Sequence, residues 1–226
     1  MINELDTIHF YINKYKCYYD EGIPPSANVL GASYKIIKDN IFFNISSKLF
    51  VTPTALGAIT KNNFEEIAKI IANAFNITIE PNYLYEYIPL SRVDVKKDCI
   101  MSESPRHYIS ELRNYFNKST RQYSIYRFDD YTYPTGLKLI PKAKNKHAIC
   151  IYDKGYELTK ARNKKLKSIF ENKYLDELKR CLRVELQLKN YANIRKFFDL
   201  GSEANTFKNV FEKDLDVLGE ALLNIF

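Results

Sequence analysis

His147-Ala-Ile-Cys-Ile-Tyr-Asp-Lys-Gly155 opens, and Leu182-Arg-Val-Glu-Leu-Gln-Leu-Lys189 closes, the stretch whose reading decides the fold. The first run is aliphatic up to Tyr152 and then breaks at Asp-Lys-Gly, the mark of a strand followed by a turn. The second is the clearest alternation in the chain. Leu182, Val184, Leu186 and Leu188 point inward, and Arg183, Glu185 and Gln187 share the opposite face. Residues 158–180, between the two runs, read as one or two very basic helical pieces.

Upstream, residues 6–13 alternate as a strand with Ile8, Phe10 and Ile12 on one face. Residues 33–37 and 41–45 form a hairpin candidate around Lys38-Asp39-Asn40, and residues 49–51 extend it or add a strand. A helix is expected from Asn62 or Asn63, capped by asparagine, with Phe64, Ile67, Ile70, Ile71, Ala74 and Phe75 as its apolar stripe. Residues 82–89 are tyrosine-rich, and residues 90–101 then read as a strand with Arg92, Asp94, Lys96 and Asp98 on one side. Such a face either meets water or lines a site. Pro105 starts a second helix, and residues 122–128 with 136–140 suggest another hairpin. Downstream, residues 191–200, ended by Gly201, and residues 207–226 are amphipathic helices. This order predicts an α+β fold, a central and mostly antiparallel sheet with flanking helices. Residues 1–200 are expected to form one domain, with 201–226 as a C-terminal helix on it.

The net charge is +7, and residues 142–189 hold 14 Lys and Arg against 6 Asp and Glu, more than the whole excess. A localised basic excess is the footprint of a phosphate-backbone binder, although a solvated helix face has the same composition. Lys160, Arg162, Lys164, Lys165, Lys167 and Arg183 are the candidate contacts. No apolar run reaches the roughly 18 residues that span a bilayer. The opening Met1-Ile-Asn-Glu-Leu-Asp lacks the pattern of a secretory signal, so the expectation is the cytoplasm, with no membrane partner. Four cysteines without a CxxC pair read as reduced thiols. Three scattered histidines give no zinc spacing, so a bound metal would rest on oxygen ligands and be Mg2+ or Mn2+.

Arg92-Val-Asp94 and Arg183-Val-Glu185 share one pattern, a base and an acid two apart on one strand face. Cross-strand ion pairs on a wet sheet would look the same. The sharper reading brings Asp94 and Glu185 together on adjacent strands around a divalent cation. Asp98 is then the third ligand, unless a lysine pairs with it. Tyr152 is the candidate nucleophile, because it ends a strand immediately before Asp-Lys-Gly and the basic helices. A phenol needs help to ionise at neutral pH, which Lys154 and a metal would supply. Tyr156 is the rival, four residues on.

Ser91-Arg-Val-Asp-Val, His147-Ala-Ile-Cys-Ile-Tyr-Asp-Lys-Gly-Tyr-Glu-Leu and Leu182-Arg-Val-Glu-Leu-Gln-Leu-Lys-Asn-Tyr resemble successive motifs of rolling-circle replication initiators. The filamentous-phage gene II replication proteins are most alike, with staphylococcal plasmid initiators and relaxases next. The likeness covers roughly residues 88–200 and lacks the His-hydrophobe-His metal motif of the wider superfamily. It implies a metal-dependent tyrosine endonuclease of a bacterial host's cytoplasm that nicks one strand at an origin, stays on the 5′ phosphate and can religate. In that reading Tyr152 attacks, Lys154 is the neighbouring cation, and Asp94 and Glu185 hold the ion. Origin DNA, single-stranded or cruciform, is the implied partner, with a host helicase or polymerase as further candidates. Tyr126, Tyr131 and Tyr133 are candidates to stack on unpaired bases. The alternative is a non-catalytic DNA- or RNA-binding protein on the same scaffold.

Overall fold

In the computed structural model, which describes residues 4–119, 123–130, 133–142, 147–213 and 216–223, eleven strands and nine helices are seen. In chain order they are β1 (Glu4–Asn13), β2 (Tyr18–Tyr19), β3 (Ser26–Val29), β4 (Ala32–Ile37), β5 (Asn40–Ser46), α1 (Phe64–Phe75), β6 (Ile77–Thr78), α2 (Pro81–Tyr87), β7 (Leu90–Ile100) and α3 (Pro105–Ser119). The chain continues with β8 (Tyr123–Asp130), β9 (Tyr133–Pro141), β10 (His147–Asp153), α4 (Lys154–Thr159), α5 (Lys164–Lys167), α6 (Asn172–Leu178), β11 (Cys181–Leu188), α7 (Tyr191–Phe197), α8 (Phe207–Glu212) and α9 (Val217–Leu223). Nine strands form one sheet in the order β3-β4-β5-β1-β7-β11-β10-β9-β8, and every pairing in it is antiparallel. β2 and β6 pair apart as a ribbon. This is the expected α+β architecture.

One face of the sheet is apolar because alternate residues of its strands are apolar. Ile8, Val93, Val95, Leu186, Leu188 and Ile149 are buried there. Helices cover this face with Ile67 and Ile71 of α1, Ile109 and Phe116 of α3, Ile194 of α7, and Phe207 and Val217 of α8 and α9. The C-terminal helices therefore contribute to the same core as the sheet. The opposite face is polar where β7 and β11 cross it, and at one end of it a second apolar cluster forms. Leu158, Leu166, Phe170, Leu178 and Cys181 make that cluster, with Val51 and Leu56 packed against it. Cys181 has the parity of Arg183 and Glu185, so α4 to α6 fold back over the polar side.

A bulge in β1 shapes that side. Leu5 pairs with Val95 and Thr7 with Asp94, so one extra residue sits between the two pairs. It keeps Leu5 and Ile8, three apart, both in the core, and it turns Asp6 toward the polar face.

Several local expectations are corrected. Residues 49–51 are not a strand: Ser47–Phe50 is a 3-10 turn capped by Ser46. The cap before α1 is Thr60, in a box with Asn63, and the asparagine itself makes no side-chain cap of the helix. The tyrosine-rich run 82–89 holds all of α2 but its first residue. Asp153-Lys154-Gly155 is not a turn; Asp153 ends β10 and caps α4 through the Tyr156 amide at 2.8 Å. α7 stops before Gly201, with Asp199 taking the left-handed conformation first. Residues 207–226 are not one helix, since α8 and α9 are separate. Among the described residues no helix is long and apolar enough to cross a membrane, and the four cysteines are free thiols.

Candidate active site

The register of three adjacent strands builds the polar face. Tyr152 lies opposite Arg183, Cys150 opposite Glu185, Arg183 opposite Asp98, and Gln187 opposite Asp94. Tyr152 and Glu185 are thus diagonal neighbours on one face, within reach of an aromatic side chain. The Tyr152 hydroxyl donates a hydrogen bond to Glu185 Oε1. Burial, and then the charge of Glu185, pushes the phenol well above its ordinary range. Glu185 is pushed up to about 7, first by burial and then by the negative charge of Asp6, with Arg183 opposing. Both groups line a hollow of about 650 Å³ that also takes in Asp6, His9, Arg92 and Asp94.

The cations of this face are already paired. Arg183 is buried; its Nε and Nη2 hold Asp98 at 2.5 and 2.7 Å, and its Nη1 holds Asp6 at 2.8 Å. It is therefore not the surface contact for a phosphate backbone that the sequence reading made of it. Asp98 also accepts from Lys96 Nζ at 3.1 Å, and these cations bring its carboxyl down to about 2 against the cost of its burial. Arg92 grips Asp94 with two hydrogen bonds, at 2.9 and 2.5 Å. Burial raises the Asp94 carboxyl and Arg92 lowers it, with burial prevailing. Lys154 is buried at the start of α4, bonded to Glu157 at 3.0 Å, with its ammonium 6.0 Å from the centre of the Tyr152 ring.

These pairings test the metal set. Asp98 is taken by Arg183 and Lys96, so it does not join Asp94 and Glu185 as a third ligand. Asp6, Asp94 and Glu185 do feel one another's charge, and His9 Nε2 is buried without a partner. Even so, no three ligating side chains among the described residues converge closely enough to hold an ion. As arranged, the residues do not fit a metal.

Lys160, Arg162, Lys164, Lys165 and Lys167 are exposed on the segment that runs from the end of α4 through α5, as a backbone-gripping surface requires. The Tyr156 side chain is hydrogen-bonded to Asp130, and its ring lies near Arg106 and Lys160. Tyr126 and Tyr133 are exposed, while Tyr131 lies outside the described residues. A second hollow of about 370 Å³ lies beside Tyr152, with Phe128, Lys138 and Tyr156 in its wall. Sequence reading missed Asp6, which only the bulge brings in. It also missed Lys48, whose Nζ reaches Asn163 Oδ1 at 3.0 Å across 115 residues of chain. No local signal marks such long-range partners. Glu157 was legible as the acid three residues after Lys154, a helical pair spacing.

No protein-family model and no curated protein matches this chain. Among solved structures, a rolling circle replication initiator protein from Geobacillus stearothermophilus aligns over 99% of this chain and 84% of its own, with 12% identity and a TM-score of 0.45.

Proposed function

We propose that this chain is a rolling-circle replication initiator that opens one DNA strand by transesterification at Tyr152. The observation that carries the reading is the hydrogen bond from the Tyr152 hydroxyl to Glu185, on a polar sheet face with a hollow to either side and exposed cations nearby. Tyr152 Oη attacks the scissile phosphorus, and its proton passes to the Glu185 carboxylate. The tyrosyl O–P bond forms as the P–O3′ bond breaks. The protein is left on the 5′ phosphate, and the departing 3′ oxygen takes up a proton from Glu185 or water. Reversal of the same steps reseals the strand.

Glu185 thus serves as proton acceptor rather than ligand. Arg183 and Lys154 stand as fixed positive charge beside the phenol, where such charge favours the phenolate. Mg2+ or Mn2+ is the ion that the motifs imply, and the carboxylates as paired here offer it no full shell. Origin DNA is the substrate in this reading, and the freed 3′ hydroxyl would serve a host polymerase or helicase assembly.

The test is incubation with supercoiled plasmid carrying the origin, with Mg2+, with Mn2+ and with chelator. Relaxed circles and a phosphotyrosyl–oligonucleotide adduct mapped by mass spectrometry to Tyr152 are expected. Tyr152→Phe should lose both and Tyr156→Phe neither. DNA bound without relaxation or adduct would leave the non-catalytic binding protein as the reading.

A further inference from the structure

The turn Ser47–Phe50 touches the charge on both sides of Tyr152. Ser47 Oγ donates to Asp6 Oδ1 at 2.8 Å, and Asp6 accepts in turn from Arg183. Lys48 Nζ donates to Asn163 Oδ1 at 3.0 Å. Val51, the residue after the turn, packs against the second apolar cluster with Leu158 and Leu166. The turn is therefore seated on the same helices that it bonds.

Asn163 is buried, and each polar atom of its side chain is used. Its Nδ2 donates to the Glu157 backbone oxygen at 2.8 Å and to Glu157 Oε1 at 2.6 Å, while its Oδ1 faces Lys48. An amide turned the other way would set its oxygen against two oxygens of Glu157 and its NH2 against an ammonium. Lys48 thus fixes which way the amide faces. The amide occupies Oε1, where the exposed Arg162 adds a longer contact at 3.3 Å, and Oε2 is left for Lys154 Nζ at 3.0 Å. Burial raises the Glu157 carboxyl, but Lys154, Asn163 and Lys48 outweigh it and bring it down to about 2. Lys154 therefore has an ionised anchor held in one orientation, with its ammonium 6.0 Å from the centre of the Tyr152 ring.

We propose that Lys48 is a positioning residue for strand cleavage, acting through Asn163 and Glu157 to aim Lys154 at the Tyr152 phenol. Lys48 also lines the larger hollow, so its rival role is a direct grip on a phosphate. The two roles move different constants. A misaimed ammonium costs rate and leaves affinity intact, whereas a lost phosphate contact weakens binding and lowers its salt dependence. The relay rests on transesterification at Tyr152, as proposed above, and its test separates the two.

The wild-type chain, Lys48→Met, Lys154→Met and the variant carrying both substitutions are compared. Single-turnover relaxation of supercoiled origin plasmid by saturating protein reads the cleavage rate. Anisotropy of a labelled single strand of the same origin, at two salt concentrations, reads affinity. Lys48→Met should slow cleavage about tenfold, with Kd and its salt dependence unchanged within about twofold. Lys154→Met should slow it at least as much, and Lys48→Met should then add nothing, since one residue acts through the other. Lys48→Gln, a bond too short to reach Asn163, takes the place of Lys48→Met if that variant fails to fold. An unchanged rate in the Lys48 variant, a loss of affinity that accounts for the lost rate, or a fall that persists beside Lys154→Met overturns the relay and leaves cleavage at Tyr152 standing. No cleavage by the wild-type chain overturns both.

Discussion

Arg92-Val-Asp94 in β7 and Arg183-Val-Glu185 in β11 are alike in sequence and opposite in state. Arg92 folds back on its own strand and chelates Asp94, closing a local ion pair. Arg183 reaches across to Asp98 and Asp6, which leaves Glu185 at 3.9 Å from its nearest nitrogen and bonded to a phenol instead. Register makes the difference, because Arg183 lies opposite Asp98 whereas Asp94 lies opposite Gln187. One base that spends itself on its neighbour gives a closed pair. The other, drawn elsewhere, leaves a buried carboxylate poised near neutrality.

The sharpest way to break this contrast is to remove each arginine. Arg183→Met strands two acids that share a buried cation and should cost about 3–5 kcal/mol in urea unfolding. Arg92→Met should cost about 1–2 kcal/mol, because the Arg92 side chain is 27% exposed and Asp94 can take a proton in its place. Equal costs would show that the two motifs are equivalent after all.

Glu185→Gln should slow strand cleavage by about a hundredfold and flatten the rising limb of its pH–rate profile near pH 7. The same change tests stability. The folded chain keeps the Glu185 proton up to about 7, while an unfolded glutamate loses it near 4.5. Unfolding between those values releases a proton, so the wild-type protein should lose stability as pH rises from about 4.5 to 7, and the glutamine variant should not. Asp98 works in the reverse sense. Its depressed carboxyl contributes stability above about 3.8 that is lost as pH falls toward 2.

Much of this was readable in advance for a simple reason. Period-two alternation in residues 182–188 and 90–98 reports which side chains share a face, and the structure keeps those faces as read. Pairing along a face depends on register, and register depends on bulges and neighbours that no local pattern encodes. Hence Arg183 reads as a surface cation, and Asp98 reads equally as a metal ligand or as a lysine's partner, the second of which the Lys96 contact meets. Short helices suffered too: α4 hides behind Asp-Lys-Gly because a cap and a turn use the same residues.

Close packing also holds the phenol in place. A methyl group on Gly136 would sit 2.7 Å from Tyr152 Cβ and 2.8 Å from a Phe128 ring carbon. Gly136→Ala should therefore displace the tyrosine, destabilise the fold by about 1–3 kcal/mol and reduce cleavage. Smallest of all, replacing Lys164, Lys165 and Lys167 together by glutamine should lower the salt dependence of single-strand binding by up to about 0.7 per lost phosphate contact.

The apolar cluster around Leu166 and Phe170 meets the sheet through Cys181 and is otherwise built from α4 to α6 and residues near Val51. A packing unit so small has an opening free energy of its own, below that of the nine-stranded sheet. The charged groups on the two parts of the polar face are thereby given separate thermal lives. Lys154 and Glu157 would exchange their amide hydrogens with this minor unit, whereas Glu185 and Asp94 would hold theirs until the whole sheet melts.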